Sequence, residues 1–234
     1  MWEVPRIWNE VWIIGGGPSI TEQFDIPKQI VQKVINGGSI SEYSDYMNAI
    51  HEKHIIGINV AFMLGDWIDW VFFGDTGFYL KYARMLAGFS GLKISCSPKT
   101  KSVNWIKYLE RSSGAFGISD KPYKVCWNGN SGAAAISVAV HAGAKRIVLL
   151  GFDMNLGENN IQHFHGMYRG GARPPSPKRI RGVERVILPF NRHLKGFPAI
   201  ARDAKRLGVE ILNASPRSRI DVFRKVSVKE ILNG

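Results

Sequence analysis

The feature that most constrains the fold is a short apolar run, residues 11–14, that leads directly into three glycines at 15–17. Pro18 and Ser19 follow, and proline is favoured at the first position of a helix. A strand, a glycine turn and a helix start in this order are typical of α/β folds that bind phosphate. The run matches neither the dinucleotide fingerprint nor the Walker A loop. Two interpretations are open at this point, an anion site or an ordinary strand-to-helix turn.

Further apolar runs recur along the chain and alternate with segments of helical periodicity. Continuous apolar runs are typical of strands that are covered on both faces of a sheet. Strands are predicted at residues 11–14, 54–59, 70–75, 92–95, 123–127, 146–151 and 209–212, and helices at 76–87, 133–141 and 197–207. This alternation predicts an α/β fold, a Rossmann-like doubly wound, mostly parallel sheet with helices on both faces.

The intervening segments carry weaker signals. Residues 20–53 are predicted to be helical or loop-like, with a break at Gly37 and Gly38, and residues 99–121 to hold a short helix and a mobile loop. We expect one Rossmann-like domain over residues 1–234. Within it, residues 169–185 form a basic, lid-like loop and residues 217–234 a C-terminal extension with a short helix.

The charge balance is strongly basic. Lys and Arg number 31 against 19 Asp and Glu, which gives a formal net charge of +12. Such a balance favours a polyanionic partner or a phosphorylated substrate. The alternative is a basic surface with no specific role.

The cysteine content and the hydropathy of the chain indicate the cellular compartment to expect. The two cysteines, Cys96 and Cys126, are interpreted as small buried residues of strands in a reduced, cytoplasmic protein, so neither a zinc site nor a disulfide framework is expected. No apolar stretch approaches the roughly 20 residues that a membrane helix needs. The first residues show no signal-peptide pattern, and no membrane insertion is expected.

Small polar residues follow nearly every predicted strand. Because the carboxyl ends of parallel strands meet at one edge of a sheet, these residues predict a polar rim around a single crevice. Asn and Asp also favour turns for local reasons, so each is weak support alone. The predicted nucleotide-binding residues on this rim are Gly15, Gly16, Gly17, Ser19, Asn59, Asn130, Ser131, Gly132 and Gly151.

The order of these blocks resembles that of two related families. The blocks are residues 13–19, an Asn after the second strand, Asn130-Ser131-Gly132 opening a small-residue helix, residues 147–153 and residues 213–216. One family is the bacterial sialyltransferases of glycosyltransferase family 42. The other is the DUF115 group, which includes the archaeal 6-hydroxymethylpterin diphosphokinase and many phage proteins. The chain is most similar to the short phage members, which implies the cytoplasm of an infected bacterium as its location.

In the sialyltransferases the corresponding turn, Asn and helix start hold the CMP part of the donor. The resemblance implies that a nucleotide is held here by Gly16, Gly17, Ser19, Asn59, Ser131 and Gly132. The catalytic His of that family has no clear match. His193 lies near the corresponding place, before the last helix, but in a different local sequence.

Two histidines one residue apart, His163 and His165, follow Asp153 closely in the sequence. One of them is predicted to act as a general base toward an acceptor hydroxyl, with Asp153 as a further catalytic candidate. The alternatives are a divalent metal held by the histidines and Asp153, or a loop with no catalytic role. Asp75 is a second candidate base or metal ligand, and the alternative for it is a helix N-cap.

The segment after the histidines is rich in arginine, lysine, proline and glycine. Beside the strand ends, it is predicted to act as a lid or as an arm that contacts a polyanion, and the alternative is a solvated surface. The candidate phosphate-contacting residues are Arg169, Arg173, Lys178, Arg179 and Arg181. Charge alone leaves open whether they contact donor phosphates or nucleic acid.

These features predict a nucleotide-dependent transferase, a phage-type glycosyltransferase that uses a nucleotide-sugar donor, with a modified DNA base as a candidate acceptor. One alternative is a diphosphokinase that moves pyrophosphate from ATP, which requires Mg²⁺ with Asp75 and Asp153 as ligands. Another is a non-catalytic protein that binds a nucleotide or nucleic acid. No other cofactor is expected.

Overall fold

A computed structural model describes residues 2–168, 178–181, 183–185 and 188–234. The strands in these ranges are β1 (Glu10–Ile14), β2 (Ile55–Ile58), β3 (Trp70–Phe73), β4 (Leu92–Ser95), β5 (Lys107–Tyr108), β6 (Glu110–Ser112), β7 (Lys124–Cys126), β8 (Arg146–Leu150), β9 (Lys178–Ile180), β10 (Val183–Arg185), β11 (Glu210–Asn213) and β12 (Arg224–Lys225). Eight of them form one sheet in the order β12-β11-β8-β1-β2-β3-β4-β5. Every neighbouring pair in that sheet is parallel.

The helices over the same ranges are α1 (Ser19–Gln23), α2 (Lys28–Ile35), α3 (Thr76–Gly88), α4 (Ser131–His141), α5 (Phe190–Leu194), α6 (Phe197–Leu207) and α7 (Val228–Asn233). Four 3₁₀ segments accompany them, Ile40–Ile50, Asn59–Leu64, Pro98–Thr100 and Glu158–Asn160.

Strand β1 lies in the middle of the sheet between β2 and β8, and its apolar residues alternate between the two faces. Val11 and Ile13 pack in one hydrophobic layer and Trp12 and Ile14 in the other, and all four are fully buried. A strand that is covered on both faces needs an apolar residue at every position, which explains the continuous run.

Helices cover both faces of the sheet. The layer with Val11 and Ile13 is closed by α4 and α6, and the other layer by α2, α3, α7 and the segment Ile40–Ile50. Because the alanines of α4 are small and fully buried, this helix approaches the sheet closely. The prediction of a doubly wound, parallel α/β fold is therefore confirmed.

The region of residues 99–121 differs from the prediction. It begins within the 3₁₀ segment Pro98–Thr100 and contains β5, the edge strand of the large sheet, and β6. Strand β5 has two residues and β6 has three, and all of them are only half-buried. Such short strands show no apolar periodicity from which they could be predicted. The strand predicted at 123–127 exists as β7, but it pairs with β6 in a separate two-stranded sheet.

Both cysteines are free, and both are buried as predicted. Cys126 ends β7, whereas Cys96 follows β4 and does not lie in a strand. Burial raises the pKa of the Cys96 thiol to about 12 and also raises the pKa of Cys126. Within the described ranges, no helix has the length and apolar character needed to cross a membrane.

Most of the predicted lid, residues 169–185, lies outside the described residues. Its described part is an antiparallel hairpin of β9 and β10, joined by a turn in which Arg181 is exposed and has a φ of 49°. The predicted C-terminal extension contains β12 and α7, and the short helix expected there is α7.

Candidate active site

A cavity of about 200 Å³ lies at the carboxyl ends of β1, β2, β3 and β8, beside the first turn of α4. It gathers most of the residues that the sequence singles out. The lining residues from that set are Gly15, Gly16, Gly17, Asn59, Asp75, Asn130, Ser131, Gly132, Gly151, Asp153, His163, His165 and His193. The predicted crevice at the strand ends is thus present.

The glycine turn after β1 packs directly against the loop after β8. The backbone N–H of Gly17 donates to the carbonyl of Gly151 at 2.8 Å. A Cβ on Gly17 would lie 2.6 Å from that carbonyl oxygen and 1.7 Å from Oδ2 of Asp153. A side chain is therefore excluded at Gly17, and the turn leaves its backbone open to the cavity.

Ser19 lies behind this turn and is not among the residues that line the cavity. Its backbone N–H faces Oδ2 of Asp153 at 3.4 Å, and burial raises the pKa of that carboxyl. The helix that starts at Ser19, α1, has only five residues, so its dipole is small. The N–H groups of Gly15 and Gly17 are bonded to the carbonyls of Leu150 and Gly151. What this turn offers an anion is therefore the amide of Gly16.

The first turn of α4 is the second backbone element of the wall. Asn130 caps this eleven-residue helix, since its Oδ1 accepts from the N–H of Ala133 at 2.9 Å and its Nδ2 donates to the carbonyl of His193 at 3.2 Å. Oγ of Ser131 accepts from the N–H of Gly74 at 3.2 Å. The side chains of Asn130 and Ser131 are thus engaged within the protein. What the helix start offers a ligand is its dipole and its free N–H groups.

His163 and His165 form a stacked pair beside the glycine turn. Their ring centroids are 5.3 Å apart and the ring planes differ by 4°. Side chains two residues apart point the same way in a strand, but this segment is a series of bends. The rings are aligned by hydrogen bonds to the backbone. Nδ1 of His163 contacts the carbonyl of Gly16, and Nδ1 of His165 contacts the N–H of Met167.

Those contacts assign different tautomers to the two rings. Nδ1 of His163 is 3.3 Å from the carbonyl oxygen of Gly16, an acceptor, so it carries the proton and leaves Nε2 as an acceptor. Nδ1 of His165 accepts from the N–H of Met167 at 3.2 Å, which places the proton on Nε2. Of the pair, His163 is thus suited to accept a proton and His165 to donate a hydrogen bond.

All three histidines of the cavity are neutral at neutral pH. Burial lowers the pKa of His163, and burial together with the charge of His163 lowers the pKa of His165 to about 3. Burial lowers the pKa of His193 to about 4, and repulsion from Arg192 and His163 contributes to this shift. Nε2 of His193 also accepts from Nη2 of Arg192 at 3.3 Å, so it is less available to a substrate than Nε2 of His163.

Tyr168 completes the wall beside the histidines, and the sequence analysis missed it as a site residue. Its ring meets those of His163 and His165 edge-on at 5.1 and 4.7 Å. Three buried polar atoms on the cavity wall have no hydrogen-bond partner among the described residues, the Tyr168 hydroxyl, Nε2 of His165 and Oδ1 of Asn59. An unpartnered buried polar atom is costly, so a water or a ligand oxygen beside these atoms would be favourable. The Tyr168 hydroxyl and the Asn59 side chain also lie close to each other.

Asp75 occupies the N-cap position of α3, but its side chain makes no capping hydrogen bond and is exposed at the rim of the cavity. Across the ranges with assigned structure, no three His, Cys, Asp or Glu side chains lie close enough to hold a metal ion. Magnesium ligation by Asp75 and Asp153 therefore stays a prediction.

None of the five candidate phosphate-contacting residues is among the described residues that line the cavity. Arg169 and Arg173 lie outside the described residues, and Lys178 and Arg179 belong to β9. Their contact with phosphate stays a prediction, as does that of Arg181. Other lining residues that the sequence did not predict include Trp127, Phe190 and Arg192, none of which belongs to a recognisable motif.

Comparison with protein-family models and with curated proteins finds no match. Among solved structures, the MAf glycosyltransferase from Magnetospirillum magneticum matches 96% of this chain at a TM-score of 0.56 and 17% identity. The chain spans only 34% of that protein's length. The sialyltransferase CstII from Campylobacter jejuni, solved with cytidine-5'-monophosphate, matches 94% of this chain and 86% of its own at a TM-score of 0.50 and 13% identity.

Identities this low show a common fold and no more. The chain has the α/β fold of these glycosyltransferases, and the relation to the family 42 sialyltransferases holds at that level. No comparison tests the resemblance to the DUF115 group.

Proposed function

We propose that this protein is a nucleotide-dependent transferase, a glycosyltransferase that takes a sugar from a nucleotide-sugar donor. The observation that carries the proposal is the cavity at the strand ends. It combines an open glycine turn, the start of an eleven-residue helix and three unpartnered buried polar atoms. The similarity of the fold to two glycosyltransferases, one solved with a nucleotide monophosphate, adds support.

In this proposal the donor phosphate lies between the glycine turn and the first turn of α4. Backbone N–H groups and the helix dipole stabilise its charge without a metal ion. Oδ1 of Asn59 and the Tyr168 hydroxyl bind the polar groups of the donor, and Nε2–H of His165 donates to an oxygen. The basic residues of the segment 169–185 are assigned to the charge of the leaving phosphate.

The chemical step is assigned to His163. Its Nε2 accepts the proton of an acceptor hydroxyl while that oxygen forms a bond with the anomeric carbon of the sugar. The bond between this carbon and the phosphate oxygen breaks, and its electron pair leaves with the nucleotide phosphate. A modified DNA base as the acceptor was suggested by the net charge of +12 and stays a prediction.

Nucleotide selectivity tests the proposal. We expect CMP, UDP or their sugar conjugates to raise the melting temperature of the protein equally with and without EDTA. A ligand at 100 times its Kd stabilises the folded state by about 2.7 kcal/mol, which such a measurement resolves. Stabilisation only by ATP with Mg²⁺ would favour the diphosphokinase alternative, and no response to any nucleotide would reject both enzymes.

The role of His163 has its own test. His163→Gln should lower the rate of sugar transfer or donor hydrolysis by about 100- to 10,000-fold and leave nucleotide affinity unchanged. Because burial lowers the pKa of His163, the acid limb of the wild-type rate profile should lie below the usual His range. His54→Gln is the matched control, since His54 is exposed and precedes β2. An unchanged rate in His163→Gln would contradict the assignment.

A further inference from the structure

A second and larger cavity adjoins the proposed donor site. It has a volume of about 580 Å³ and lies between α1, α2 and the segment 158–164. His163 lines both cavities. A general base must contact the acceptor hydroxyl while that hydroxyl faces the donor, and a residue shared by both cavities meets this requirement.

The charges around the second cavity balance. Its wall carries the carboxylates of Glu22, Asp25 and Glu158 and the ammonium group of Lys28. Arg217 pairs with Glu22, and Lys229 pairs with Asp25 at 2.8 Å. Among the residues that the structure describes, three negative and three positive groups leave no surplus of positive charge here, whereas binding of a nucleic acid backbone depends on such a surplus.

The remaining wall is largely apolar. Ile26 and Ile35 are buried, and Val31 and Phe164 contribute further apolar surface. Pro18 and Pro27 complete this side. The cavity therefore suits a ligand with an apolar body, and its polar end meets the imidazole of His163.

We infer that this second cavity is the acceptor site and that it takes an uncharged, amphiphilic hydroxyl compound. The reacting hydroxyl lies at His163 and the apolar body lies along α2. The inference rests on the proposed transferase function and names the acceptor class for it. It places the acceptor beside α1 and α2, and it does not require a contact with the basic segment.

Methyl and amide NMR of the full chain tests the inference. The probes are monomeric octyl β-glucoside, as an uncharged amphiphilic hydroxyl compound, and a 12-base-pair DNA duplex. We expect the glucoside to shift the methyl signals of Ile26, Val31 and Ile35, and the duplex to leave them unchanged. Gln32→Trp, which fills the cavity from α2, should weaken glucoside binding by about tenfold or more. Gln29→Trp is the matched control, an exposed Gln on the same helix that does not line the cavity.

The outcomes separate the two proposals. Absent methyl shifts with the glucoside, shifts of these methyls with the duplex, or equal weakening by both Trp variants would overturn the acceptor site. CMP and UDP are titrated in parallel and followed at the amides of Gly16, Gly17 and Gly132. If neither nucleotide shifts these amides, the donor site fails, whatever the glucoside does.

Discussion

Gly17 is the residue that joins the glycine turn to the loop after β8. Its Cα lies so close to the Gly151 carbonyl and the Asp153 carboxylate that a methyl group has no room. The Asp153 side chain can move aside, but the backbone carbonyl cannot move without distorting the turn. The glycine is thus required by close approach, since its φ is not in the left-handed region.

We predict that Gly17→Ala lowers the free energy of unfolding by about 1–3 kcal/mol, the usual cost of overpacking. Gly77→Ala is the control, because a Cβ on Gly77 in α3 meets nothing within 4 Å. Alanine is the better helix former, so this control should be neutral or stabilised by about 0.5 kcal/mol. Urea denaturation of both variants measures the difference, and equal stabilities would contradict the packing argument.

His165 should make the stability of the protein depend on pH. Its pKa of about 3 in the folded state lies below the usual value of 6.5, so the unfolded chain binds more protons between these values. Stability is therefore retained above pH 6.5 and lost as the pH falls toward 3, by up to about 1.4 kcal/mol per pH unit for this group. His165→Asn should show a shallower loss than the wild type between pH 7 and 4 in urea titrations. Parallel curves would show that His165 does not contribute.

The sequence predicted the site residues that belong to turns and helix starts, because Gly17 and Asn130 have backbone roles that leave a local signature. It did not predict Tyr168, whose ring contacts both histidine rings edge-on. Nor could spacing assign different tautomers to His163 and His165. That difference comes from the carbonyl of Gly16 and the N–H of Met167, which only the fold places beside the rings.

At the level of elements, the N-cap of α4 stabilises the helix and lies beside the proposed phosphate position. Asn130→Ala removes the acceptor for the N–H of Ala133 and should cost about 1 kcal/mol of stability. Asn130→Asp keeps a capping oxygen but adds a negative charge beside the proposed phosphate position. Asp also loses the hydrogen bond from Nδ2 to the His193 carbonyl, so we predict a modest loss of stability together with weakened nucleotide binding for Asn130→Asp. Denaturation and nucleotide titration measure the two effects.

Ser227→Ala provides the comparison for this prediction. Ser227 caps α7 in a reciprocal capping box with Glu230 and does not line the donor cavity. Its loss should lower stability by an amount similar to that of Asn130→Ala and leave nucleotide affinity unchanged. If Asn130→Asp binds nucleotide as well as the wild type, the phosphate does not lie at the start of α4.

The central strands β1, β2, β3 and β8 were predictable because a strand buried on both faces needs a continuous run of apolar residues. Helix α6 was predicted with its observed bounds, since it has apolar periodicity and a glycine, Gly208, that ends it in the left-handed conformation. The edge elements were not predictable. Lys107 and Tyr108 form β5 only because β4 offers them a free edge, and two half-buried residues carry no periodic pattern.

For the whole molecule, the two hydrophobic layers share the strands of the sheet. Because Ile13 faces one layer and Ile14 the other, neither layer can lose its packing while β1 stays in place. We predict a single cooperative transition, in which tryptophan fluorescence and far-UV circular dichroism coincide during urea unfolding. Ile13→Val should move both curves together by about 0.5–1.5 kcal/mol. Two separate transitions would show that the layers unfold independently.

The buried thiols have a practical consequence. Thiol reagents attack the thiolate, and with a pKa of about 12 Cys96 supplies almost none at neutral pH. Cys126 is buried as well and its pKa is also raised. A cysteine introduced at an exposed position such as Gln29 would therefore be the site that takes a maleimide dye, with both native cysteines left in place. Fluorescence labelling and distance measurements across the two cavities thus need no cysteine-free background.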